Sequence, residues 1–77
     1  LSWMPDDPEK KKILENLRDR INEILEANEG KQVDFNSLIQ VIMLDFSEIN
    51  EKQISYYIKV LIDLGEIVGD KILNFTL

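Results

Sequence analysis

The chain has 77 residues, of which 44% are hydrophobic and 31% charged. That is one small domain, too apolar for disorder and large enough for a modest core. With no cysteine and no histidine, disulfides, thiol nucleophiles, imidazole bases and the usual zinc sites are excluded, so neither enzymatic activity nor a metal or cofactor is expected. No apolar run approaches the ~18 residues that a membrane span needs, and no signal-peptide pattern opens the chain. The corresponding expectation is a protein away from membranes, cytoplasmic or, in a eukaryote, nuclear. The formal net charge is −6. It works against general polyanion binding, since non-specific nucleic-acid affinity comes from neutralised phosphates. A local contact depends on the charge of one face and stays open.

Residues 1–7 form an apolar entry segment containing Trp3 and Met4. Trp3 is expected to fold onto the domain or to contact the rest of a longer protein. Leu1 at the start and Leu77 inside an apolar run at the end point to a domain cut from such a parent. The first helix is predicted over residues 8–29. Asp7 is a suitable N-cap, Pro8 costs nothing in a first turn, and Glu9 complements the helix dipole. Ile13, Leu14, Leu17, Ile21, Ile24 and Leu25 recur at a 3.6-residue period, and Gly30 is the expected left-handed cap. The other face carries Glu15, Asp19, Glu23 and Glu26 and reads as a solvated acidic surface. Lys10, Lys11 and Lys12 sit at the end of the dipole that disfavours cations. They serve solubility or contact a phosphate.

Val33 and Phe35 alternate with polar residues, which suits a very short strand. A second helix follows over 36–45, capped by Asp34 or Asn36. Between Leu38 and Phe46, seven of nine residues are apolar. A helix apolar nearly all round is buried on most sides. In a chain this small, part of that surface, with Val41, Met43 and Leu44, is expected to face another chain or domain. Asn50 and Gln53 have the spacing of a capping box and open a third helix over 50–64, stopped by Gly65. On a helical wheel Ile54, Tyr57, Ile58, Leu61 and Leu64 form its core arc. Lys52, Ser55, Tyr56, Lys59 and Asp63 form the outward arc. Residues 66–76 read as a β-hairpin with Gly69-Asp70 in a type II′ or I′ turn. A two-stranded hairpin is marginal alone, so it is expected to take the strand near Val33 as a third.

The predicted fold is α+β and mainly α: three helices with a small antiparallel sheet, in one domain spanning 1–77. Ser55, Leu61, Gly65, Ile67 and Val68 carry a more specific signal. A Ser early in a helix, a Leu six positions later, then Gly and two apolar residues opening a hairpin resembles the recognition helix and wing of winged helix-turn-helix regulators of the ArsR and MarR type. That resemblance implies a DNA-binding domain of a larger transcription or replication protein, with the third helix in the major groove. Lys52, Lys59 and Lys71 would then meet phosphates, and Ser55 and Tyr56 would meet base edges or backbone. The third helix carries no Arg, its charges from Glu51 to Asp63 cancel, and the wing is short. One copy is therefore expected to bind duplex DNA weakly, and a homodimer or a larger parent protein to bind it better. The competing expectation is a winged-helix module for protein–protein contact without intrinsic DNA binding, using Trp3, Val41, Met43 and Leu44.

Overall fold

The computed structural model describes residues 8–29 and 31–75. Trp3, the rest of the entry segment and the expected cap Gly30 lie outside them. Among the described residues the chain runs α1 (Pro8–Ala27), β1 (Val33–Asp34), α2 (Phe35–Asp45) and α3 (Glu51–Asp63). A 3-10 turn (Gly69–Lys71) and β2 (Ile72–Leu73) follow. The three helices match the expected ones to within two residues at each end.

Each helix forms for reasons visible in its residues. α1 buries Leu14, Leu17, Ile21 and Leu25, the heart of its periodic stripe. It ends at Ala27, two residues early, and Glu29 takes the left-handed conformation at φ 54°. The α2 cap is Asp34, whose carboxylate accepts from the Ser37 N–H at 3.2 Å. α3 opens on a complete capping box. Asn50 Oδ1 accepts from the Gln53 N–H at 2.8 Å, and Gln53 Oε1 accepts from the Asn50 N–H at 3.1 Å.

The core is one cluster drawn from all three helices, together with Ile49, Ile67 and Ile72. Ile54, Tyr57, Ile58 and Leu61 of α3 are buried as the wheel requires, and Val60 joins them. Leu64 is only half-buried. α2 buries Phe35, Leu38, Ile39 and Ile42, with Val41 and Met43 half-buried. Leu44 stands 86% exposed. The described residues contain no buried polar side-chain atom without a partner.

The expected antiparallel hairpin over 66–76 is not formed. β2 pairs with β1, and the two run parallel, with Val33 opposite Ile72 and Asp34 opposite Leu73. The reason lies at the end of α3. Gly65, at φ 76°, donates its N–H to Ile62 O at 3.0 Å, and Glu66 donates to Leu61 O at 2.9 Å. This is a Schellman closure of the helix. The Ile67 N–H goes to the same Leu61 carbonyl at 3.3 Å. The backbone of 66–67 therefore caps a helix and cannot form one arm of a ladder. Ile67 and Ile72 are both buried, and the four residues between them close through the Lys71 N–H to Val68 O bond at 3.1 Å. Only β1 remains for Ile72 to pair with.

A clasp holds this C-terminal segment down. Gln32 Nε2 donates to Asp70 O at 2.8 Å, and Asn74 Nδ2 donates to Asp34 Oδ1 at 3.0 Å. Asn74 is left-handed at φ 59°, a conformation Asn tolerates better than most residues. It delivers Phe75 onto Phe35 with ring centroids 4.7 Å apart and planes 16° from parallel.

Two predictions follow from these closures. A Cβ added at Gly65 meets nothing within 4 Å, so Gly65→Ala tests backbone strain alone. It should lower unfolding free energy by roughly 1–2 kcal/mol in urea titrations, and Asn50→Ala by about 1 kcal/mol. Asp34 is held below the ordinary carboxylate range, first by the Asn74 hydrogen bond and then by the Ser37 N–H. Its native pKa is depressed, so its stabilisation is complete above the unfolded value of about 3.9 and is lost as pH falls through the native one. Asn74→Ala should weaken that acid-dependent loss, as read by urea midpoints at neutral and acid pH.

Candidate nucleic-acid interface

The expected recognition surface is the outward arc of α3, and the structure divides it. Lys59 Nζ is bound to Asp63 Oδ2 at 2.6 Å, one turn along the same helix. The Ser55 hydroxyl donates back to Glu51 O at 3.0 Å, and Ser55 is half-buried. Both are engaged within α3. Lys71 leaves the surface altogether, because the 3-10 turn places it beside Asn22, Leu25, Glu26 and Val68. It belongs to the far half of α1, where a carboxylate shares its hollow. The missing hairpin is the cause: a protruding wing would have carried Lys71 outward.

Lys52 and Tyr56 behave differently. Both are exposed on the first turns of α3, and they line an open cleft of about 420 Å³ together with Lys10, Asn50, Gln53 and Tyr57. Lys10 comes from the first turn of α1. α1 and α3 pack against each other with their N-terminal ends at the same edge of the molecule. That packing brings an α1 lysine, which from sequence reads only as a solubility or phosphate residue, next to the α3 lysine.

The chemistry of the rim is one-sided. The two ammonium groups can only donate. In the capping box the oxygens of Asn50 and Gln53 must face backbone N–H groups. The amide NH2 groups of both residues take no part in the capping box. Among the described residues no carboxylate lines the cleft. Glu9 and Glu51 belong to the same first turns but stand outside the lining. The positive ends of two helix dipoles add to the field. In a chain of net charge −6, the two charged side chains among the described lining residues, Lys10 and Lys52, are both cationic.

The other strong cations are committed elsewhere. Arg18 bonds Glu66 Oε1 at 2.9 Å and Asp19 Oδ1 at 3.0 Å, tying α1 to the segment after α3. Arg20 bonds Asp45 Oδ2 at 2.6 Å and also pairs with Glu23, tying α1 to the end of α2. These contacts tie α1 to its neighbours, and they pair both arginines with carboxylates. Such pairs are exposed, and each stabilises the fold only modestly.

Tyr56 is 43% exposed, with its ring centroid 6.4 Å from that of Tyr57 and the planes tilted by 53°. Both tyrosines line the cleft, Tyr57 buried and Tyr56 exposed. Sequence reasoning found Lys52 and Tyr56 from the wheel. It missed Asn50 and Gln53 as contributors because it read them only as a cap. The capping-box spacing itself was the available signal, since it dictates which way both amides face. Leu44 alone projects, and Val41 and Met43 are half-buried.

Among the described residues no cluster of carboxylates could hold a metal ion, and no helix is long and apolar enough to cross a membrane. No protein-family model matches the chain, and comparison with curated proteins and with solved structures finds no match.

Proposed function

We propose that the chain is a non-enzymatic nucleic-acid-binding module of the helix-turn-helix kind, with winged-helix-like helices but no protruding wing. α2, the turn over 46–50 and α3 are its helix-turn-helix unit. The single observation that carries the reading is the convergence of Lys10 and Lys52 on one cleft, in a molecule whose net charge is −6. Phosphate contacts supply most non-specific nucleic-acid affinity, and their strength depends on local charge. Two lysines supply little, so one copy binds weakly. Useful affinity comes from repetition, as a homodimer or within a larger protein. The reading invokes no cofactor and no metal.

A second reading rests on a different surface. Leu44 at 86%, Val68 at 59% and Leu73 at 43% exposure are apolar side chains on show. They support a protein-interaction module in which the end of α2, the segment after α3 and β2 present apolar side chains to a partner protein.

Fluorescence anisotropy of labelled DNA, duplex and single strand, titrated with the 77-residue chain at low salt, separates the two. Saturable binding is expected, with a log–log salt slope near −1.8 for two duplex phosphates and about −1.4 for single strands. Lys10→Glu/Lys52→Glu should abolish it, whereas Lys59→Ala should change it less than about threefold, since Lys59 is already paired within α3. No binding of either form at low salt would overturn the nucleic-acid reading and leave the apolar surface as the functional one.

A further inference from the structure

We infer that the outward face of α2 joins two copies of this chain, antiparallel about a two-fold axis, with Leu44 of each copy over Ser37 of the other. The inference goes beyond the reading above and does not rest on it, since no α2 residue is among the described lining of the cleft. It supplies the repetition that a weakly binding single copy calls for.

Three observations carry it. The first is charge. The ten residues from Phe35 to Leu44 carry none, the longest such run in a chain with nine basic and fifteen acidic side chains. The carboxylates that bracket the run are engaged, Asp34 with the Ser37 N–H and Asn74, and Asp45 with Arg20. Two copies of net charge −6 repel one another at long range, and an uncharged face is where contact adds least to that repulsion. A basic partner would find no carboxylate within this run to pair with. The absence of charge therefore selects a second copy over a partner of opposite charge.

The second is exposure at helical spacing. Ser37, Gln40, Val41 and Leu44 stand at i, i+3, i+4 and i+7, one stripe of a helix. They lie opposite Phe35, Leu38, Ile39 and Ile42, which face the core. Ser37 and Gln40 are exposed and Val41 is half-buried. Leu44, at 86%, is the most exposed large apolar side chain among the described residues.

The third is self-complementarity. A two-fold contact sets one patch against itself, residue i on j and j on i. With the axis between Gln40 and Val41, antiparallel helices place position 44 against 37 and position 41 against 40. The most projecting apolar side chain then meets the smallest one, twice, and Gln40 covers Val41. Leucine over serine lets the helices approach to the usual separation of about 8–10 Å. A parallel pair would set Leu44 against Leu44 and splay one end. Two 11-residue helices bury less than the roughly 1,200 Å² of a standard interface, so the dimer is a weak one, formed at about 100 μM and above.

Sedimentation equilibrium of the 77-residue chain without nucleic acid, from about 10 μM to about 1 mM, tests this. The average mass should rise from 9.0 kDa towards twice that value. The rise should be larger at about 0.5 M than at about 0.05 M salt, because salt screens the repulsion between acidic copies. Leu44→Glu, at a position too exposed to matter for folding, should weaken association at least about tenfold, since it brings a charge into the contact. Leu44→Glu/Ser37→Lys sets opposite charges across both ends of the antiparallel pair and should associate at least about threefold more tightly than Leu44→Glu alone. Circular dichroism confirms that each variant folds. A monomer up to about 1 mM at both salts would overturn the inference, as would a Leu44→Glu chain that associates like the unaltered one. So would a double variant that recovers nothing. Association that weakens with salt, or is lost in Lys10→Glu/Lys52→Glu, would also overturn it and put the contact at the charged cleft. None of these outcomes decides the nucleic-acid reading, whose test reads DNA binding.

Discussion

The burial of one face of α3 against α1 and α2 is the constraint on which the molecule depends. Ile54, Ile58 and Leu61 are almost wholly removed from water, as are Leu17 and Ile21 of α1 and Ile42 of α2. Truncating any one of these to alanine typically costs 2–5 kcal/mol. A domain of this size has about 4–12 kcal/mol in total, so the helices cannot separate or slide without unfolding. That packing fixes which ends of α1 and α3 lie side by side. The meeting of Lys10 with Lys52 is a by-product of core geometry.

The C-terminal segment shows how one backbone decision propagates. Gly65 turns the chain with a positive φ, and the next two N–H groups, those of Glu66 and Ile67, both go to the Leu61 carbonyl in the last turn of α3. Those donors are then lost to any hairpin. The segment instead bends into a 3-10 turn, lays two residues parallel to β1, and is pinned by Asn74 on Asp34 and by Phe75 on Phe35. Asp34 serves twice, as the α2 cap and as the Asn74 acceptor. The start of α2 and the end of the described chain are therefore coupled through one carboxylate.

Electrostatically the molecule is divided in its use of charge. Arg18 and Arg20, with Glu66, Asp19, Asp45 and Glu23, hold α1 to its neighbours. Lys59 is satisfied within its own helix. The described lining of the cleft brings together two lysines, Lys10 and Lys52, and the two capping-box residues. The total charge describes the acidic outer face of α1, and the local charge describes the site. On the proposed reading, a site at two helix ends would let a small acidic domain hold an anion without a wide basic surface.

Local signals in the chain were sufficient for the helices. The stripe from Leu14 to Leu25, the Asn50–Gln53 box and the left-handed Gly65 each act over three or four residues, a range that spacing captures. Lys52 and Tyr56 were legible for the same reason, since a wheel fixes which residues of one helix share a face. The direction of β2 was not legible. The apolar run Ile72-Leu73 suits a parallel or an antiparallel partner equally, and the choice was made by hydrogen bonds from Glu66 and Ile67 to a helix end. Nor could spacing bring Lys10 within reach of Lys52 across 42 positions of chain, or pair Asp34 with Asn74. Sequence by itself determined where the helices begin, where they end and which faces they bury, because those are short-range matters of capping, period and φ. Only the tertiary structure decided which lysines converge, which are neutralised and where the last strand lies, because each of those depends on how separately formed elements pack against one another.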